Sequence, residues 1–107
     1  MNSEHIEQIQ LVQWFRQKFP EIRIFAIPNG GHRHKAAAMK LKLEGVSKGI
    51  PDLFIPELLL WIEMKRETGG KVSIHQKEWI KYLESIGHRC IIGNGFLDAK
   101  EKIFKII

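Results

Sequence analysis

The sequence predicts an α/β fold, a mixed sheet of about four strands flanked by helices, and three observations carry that expectation. Residues 58–65 form an almost unbroken apolar run, as in a central strand covered on both faces. Pro56-Glu57 separates this run from the shorter Leu53-Phe54-Ile55, which reads as a tight connection between adjacent strands. On either side, residues 3–19 and 73–86 repeat their apolar positions at helical spacing instead.

In chain order, Ser3 is the expected N-cap of the first helix, and Glu4 and Glu7 suit the positive end of its dipole. Ile9, Leu11, Val12, Phe15 and Phe19 make one broad apolar face, and Pro20 stops the helix. At about 100° per residue, Glu4 and Gln8 project onto that face and Glu7 onto its margin. A carboxylate on the core side needs a reason, because burying it unpaired is costly. Either Glu4 is a first-turn acid at a frayed terminus, or it reaches the edge of the sheet.

Residues 22–27, rich in β-branched side chains, read as the first strand, and Pro28-Asn29-Gly30-Gly31 breaks it. The basic cluster His32, Arg33, His34, Lys35 follows. It is either a solvated loop or a phosphate-contacting one, where glycines permit close backbone approach. The two histidines lack partners at zinc-site spacing. Residues 36–43 predict a second helix closed by Gly45, and the loop 44–49 leads to Pro51. Lys48 in that loop is either an exposed lysine or a phosphate contact.

Residues 66–72 read as a polar loop around Gly69-Gly70, with Arg66 and Lys71 facing solvent or a DNA backbone. Ser73 and Gln76, three apart, form a capping box that opens a third helix. Trp79, Ile80, Leu83 and Ile86 supply its apolar stripe and Gly87 ends it. Residues 88–92 predict a last strand, parallel to the one carrying Glu63 through a right-handed crossover. Residues 97–107 close the chain as an amphipathic helix with Leu97, Ile103, Phe104 and Ile107 apolar.

The 107 residues leave room for one domain with one modest core, spanning 1–107. The 17 Lys and Arg against 12 Asp and Glu give a net charge of +5. That excess is compatible with a polyanion such as nucleic acid, or with solubility alone. A single cysteine, Cys90, excludes an internal disulfide and is expected as a core thiol. No apolar run approaches membrane-spanning length, so a soluble cytoplasmic protein with no membrane partner is the expectation.

The chemistry concentrates between Gly49 and Lys65. Asp52 stands at the start of the first apolar run, with Glu63 and Lys65 two positions apart at the end of the second. On a strand Glu63 and Lys65 share one face, and Ile62 and Met64 take the other. The hairpin can thus bring two carboxylates and an ammonium to one sheet edge, a grouping that suits a hard divalent cation such as magnesium.

Pro51-Asp52 followed by Glu63-Met64-Lys65 resembles the motif of the PD-(D/E)XK nuclease superfamily. The ordered set Asn29-Gly30-Gly31, Glu44-Gly45-Val46, Gly49-Ile50-Pro51-Asp52-Leu53, Glu63-Met64-Lys65 and Ser73 to Gln76 resembles the virus-type replication-repair nuclease (VRR-NUC) family, from the first helix to about Gly95. The resemblance implies a restriction-endonuclease-like fold. It implies Mg2+ or Mn2+ on Asp52 and Glu63, with the Met64 backbone carbonyl and, through water, Glu4; Glu7 is the rival to Glu4. Lys65 and Gln76 would complete the catalytic set. Asn29, Gly30, Arg33, Lys35, Lys48, Arg66 and Lys71 are the candidate DNA contacts. Stand-alone relatives are phage or bacterial homodimers that resemble structure-specific endonucleases for branched DNA, such as four-way (Holliday) junctions, which places the expected site of action in a bacterial or phage-infected cell. A nuclease for linear or flap DNA and a catalytically silent DNA-binding module are the alternatives. The silent module is weakened because a binder needs no paired carboxylates facing phosphate.

Overall fold

A computed structural model describes residues 1–28 and 35–107. Asn29, Gly30 and Arg33, three of the expected DNA contacts, lie outside the described residues. The elements run α1 (Glu4–Lys18), β1 (Phe25–Ala26), α2 (Lys35–Leu43), β2 (Leu53–Ile55), β3 (Leu60–Lys65), α3 (Ile74–Ser85), β4 (Arg89–Asn94) and α4 (Phe96–Phe104). The four strands lie side by side in chain order. β1–β2 and β2–β3 are antiparallel, whereas β3–β4 is parallel through the α3 crossover. This is the mixed α/β sheet that the sequence predicts.

The period of two sorts β3 into two faces. Leu60, Ile62 and Met64 join Leu53 and Ile55 of β2, Leu11 and Phe15 of α1, and Ala99 and Ile103 of α4 in one buried cluster. Trp61, Glu63 and Lys65 take the opposite face, towards α3, and they too are buried. Trp61 is a packing residue, as its surroundings in sequence suggest. Its indole Nε1 donates to His88 Nδ1 at 2.8 Å, so the polar end of a buried ring is satisfied.

Several boundaries move. The first strand keeps only Phe25–Ala26 of the expected 22–27, because its partner β2 offers just three residues before Pro56. One backbone bond continues the pairing, Ile27 N donating to the Asp52 carbonyl at 2.8 Å. The β2–β3 connection is a 3-10 turn, Pro56–Leu58, followed by Leu59 in the left-handed region at φ 48°, so β3 begins at Leu60. Ile86 and Leu97, read as apolar helix positions, are 51% and 71% exposed. Both stand at helix ends, beyond the reach of the sheet. Cys90 is half-buried rather than fully in the core, and burial, then the Glu84 charge, push its thiol up to about 11. None of the helices among the described residues is long and apolar enough to cross a membrane.

Candidate active site

Asp52 enters the site on the residue before β2, and its Oδ2 accepts the Met64 N–H at 2.8 Å. That bond ties the start of β2 to the end of β3. Glu63 and Lys65 lie on the same face of β3, with Lys65 Nζ 3.5 Å from Glu63 Oε2. Both are nearly closed off from water, Glu63 at 2% and Lys65 at 7% exposure.

α3 brings Gln76 to them. Ser73 caps the helix, and its hydroxyl accepts from Gln76 N at 3.2 Å while Gln76 Oε1 accepts from Ser73 N at 2.8 Å. The same Oε1 accepts from Lys65 Nζ at 3.0 Å, and Nε2 donates to Glu63 Oε2 at 3.0 Å. The amide orientation is fixed by these contacts, since reversing it would set Nε2 against two donors. Helix capping and site assembly therefore use one side chain.

The approach of α3 to the site depends on Gly49. Its φ is +89°, and a Cβ there would stand 2.7 Å from the His75 backbone carbon and 2.9 Å from Gln76 N. A side chain would push the 44–49 loop off the helix start that holds Gln76.

Glu4 and Glu7 separate. Glu4 lies at the exposed rim, and one oxygen from each of Glu4, Asp52 and Glu63 falls within 4.8 Å of the others. Glu7 turns inward instead, 7% exposed, and its Oε1 accepts from Phe96 N at 3.3 Å. It satisfies a free N–H in the first turn of α4 and sits at the positive end of that helix. The helical projection put Glu4 inside and Glu7 at the margin; the packing reverses this. Both acids stand in the first turn of α1, and Glu7 is the one that meets the β4–α4 junction, at Phe96 N. Gly95, lacking a Cβ, leaves room for Glu7 Oε2, which is 2.9 Å from where that carbon would be; nothing near Glu7 in the sequence marks this contact.

Glu63 shows what the cluster lacks. Its Oε1 is shut off from solvent and has no hydrogen-bond partner among the described residues. Burial first, then the Asp52 charge and a hydrogen bond shared with Asp52, push the Glu63 carboxyl from 4.5 up to about 8, while Lys65 pulls it the other way. A buried carboxyl of this kind is completed by a proton or by a cation. Three carboxylates converging on one point are a hard-oxygen donor set, so magnesium or manganese fits the residues present.

Among the expected DNA contacts, Lys35, Lys48, Arg66 and Lys71 are exposed. Arg66 is occupied locally: its Nε donates to the Thr68 carbonyl at 3.1 Å and its Nη2 to the Gly69 carbonyl at 3.2 Å, closing the polar loop. Lys48 lines a cleft between α2, the 44–49 loop and the start of α3, which Gln76 also lines.

No protein-family model matches the chain, and no curated protein matches it. Among solved structures it is similar to a VRR_NUC domain protein, at 24% sequence identity, with a TM-score of 0.84 over the whole of this chain and 89% of the other. The chain therefore has the fold of a VRR_NUC domain protein.

Proposed function

We propose that the chain is a single VRR-NUC nuclease domain, a metal-dependent endonuclease that hydrolyses phosphodiester bonds in branched DNA such as four-way junctions. The observation that carries the reading is the convergence of Glu4, Asp52 and Glu63 beside the part-buried Lys65–Gln76 hydrogen bond. Without a cation, the charge repulsion among three carboxylates would work against placing them beside phosphate.

Asp52, Glu63 and Glu4 would hold magnesium or manganese, with the Met64 carbonyl next to them. Such an ion, when bound, polarises a phosphoryl oxygen and lowers the pKa of a coordinated water. The protein does the rest by placement. Gln76, locked by the helix cap and by Lys65, holds the Glu63 carboxylate in one orientation. Lys65, whose Nζ stands 3.5 Å from Glu63 Oε2, stabilises the negative charge that grows on the phosphate as the attacking oxygen bonds to phosphorus and the bond to the leaving oxygen breaks. Asp52 also braces the strand pair through Met64 N, so it has a structural as well as a ligand role. Glu4 serves the site and Glu7 anchors the helix that carries it.

The exposed lysines at positions 35, 48 and 71 would contact the DNA backbone. Cutting both strands of a symmetric branch takes two sites, so the active form is a homodimer, acting in a bacterial or phage-infected cell.

The test is cleavage of labelled four-way-junction and linear duplex DNA with magnesium, manganese or EDTA. Asp52→Asn is the control, because Asn keeps an acceptor for Met64 N while removing the charge. Metal-dependent cutting of the junction, lost in Asp52→Asn, is the expected result. Equal cutting of linear duplex would sink the branched-DNA reading and keep the nuclease. Binding without cutting under any metal would make the chain a silent DNA-binding module.

A further inference from the structure

A cleft beside Gln76 has no role in the proposed mechanism. It has a volume of about 790 Å³, lies between α2 and the start of α3, and is bounded by Ala38, Leu41, Val46, Lys42 and Lys48. Gln76 lines it and also donates to Glu63, so the cleft adjoins the catalytic cluster through that one side chain. α2 itself is anomalous. Six of its nine residues are apolar, Ala36, Ala37, Ala38, Met39, Leu41 and Leu43, yet none is buried. From residue 35 to 49 the charges are Lys35, Lys40, Lys42 and Lys48 against Glu44 alone.

Apolar walls with a lysine-rich rim fit one chemistry better than others. Phosphates and sugars of an intact duplex gain nothing from Leu41 and Val46, because the bases are stacked inside the double helix. A base taken out of the stack presents an apolar face to such walls, and the lysines meet its flanking phosphates. A volume of this size is in the range of about 300–1,000 Å³ that small-ligand sites occupy, enough for one or two nucleotides. Gly45 and Gly49 also line it.

We propose that this cleft receives one or two unstacked nucleotides next to the scissile phosphate, with Leu41 and Val46 against the base and Lys42 and Lys48 on its phosphates. The inference rests on the nuclease reading and adds to it a physical source of substrate choice. Unstacking costs a few kcal/mol in a paired duplex and least where a strand is already unpaired. The cleft therefore favours DNA whose cut strand is unpaired or weakly stacked beside the cut, as at a branch point or a strand end.

The experiment uses a junction carrying 2-aminopurine, whose fluorescence rises when it leaves the stack, at successive positions flanking the mapped cut. Glu63→Gln protein is added so that the complex forms without cleavage. A several-fold rise is expected at one or two adjacent positions on one side of the cut. Leu41→Glu, with Lys48→Glu as a second variant that touches no packing, should abolish that rise. Both should also slow cutting at least tenfold, while leaving the magnesium-induced rise in melting temperature unchanged. Cutting by the wild type with no brightening at any flanking position would overturn the inference alone, whereas no cutting of any DNA would overturn the nuclease reading with it. Intact fluorescence together with a change of sedimentation mass in Leu41→Glu would make this face a contact between two copies, which also overturns the inference.

Discussion

Binding of magnesium is expected to expel one proton, from Glu63. Its carboxyl is raised to about 8 chiefly by burial, then by Asp52, so at pH 6 only roughly one molecule in 100 carries it ionised. A cation that needs the carboxylate must displace that proton. The apparent affinity should then climb about tenfold per pH unit and level off near pH 8. Between pH 6 and pH 8 the span is about 50-fold, or about 2.3 kcal/mol. Titration calorimetry with magnesium at pH 6, 7, 8 and 9 reads it, in two buffers of different ionisation enthalpy. About one proton per ion should be released at pH 6 and 7, falling towards none at pH 9. Glu63→Gln supplies the baseline for the histidines, with weak binding and no proton release. Dissociation constants that agree within threefold from pH 6 to pH 8 would refute the argument, since the buried carboxyl would then not be the group the ion completes.

The same residue predicts the pH dependence of the metal-free protein. A carboxyl raised from 4.5 in the unfolded chain to about 8 in the folded one binds more protons when folded, so stability falls as pH rises through that window. Melting temperature in EDTA should drop from pH 5 to pH 8 more steeply for the wild type than for Glu63→Gln; parallel curves would contradict the shift. Glu7→Ala leaves the Phe96 N–H without its acceptor and should cost about 1–3 kcal/mol in urea unfolding. It should also weaken the magnesium-induced stabilisation by loosening the turn that carries Glu4, whereas Glu7→Gln, which keeps an acceptor, should retain most of both. Gly49→Ala sets a Cβ 2.7 Å from the His75 backbone in a left-handed conformation, and should destabilise the fold by at least about 1–2 kcal/mol. A melting temperature unchanged by that substitution would show that the loop can yield.

Reading the sequence recovered what depends on local periodicity. Glu63 and Lys65 share a face because strand side chains alternate, and no packing can change that short of a register slip. Ser73 and Gln76 announce a helix start because a capping box is complete within four residues. Asp52 is found from the proline turns that bracket its strand. The parallel placement of β4 follows from the length of the α3 crossover.

What the sequence left open depends on rotation and distance between elements. Whether Glu4 or Glu7 turns inward is set by where α1 ends over the sheet, and two acids three residues apart on one helix look alike until Gly95 and Phe96 are seen beside Glu7. The second use of Gln76, as the bridge between Lys65 and Glu63, requires α3 to cross the end of β3 at hydrogen-bond range. The raised Glu63 carboxyl and the cleft beside it are likewise properties of the assembled molecule. Sequence alone determined which side chains were available and which face of its own element each would take. Only the tertiary structure decided which of them meet, because burial and contact are made between segments far apart in the chain.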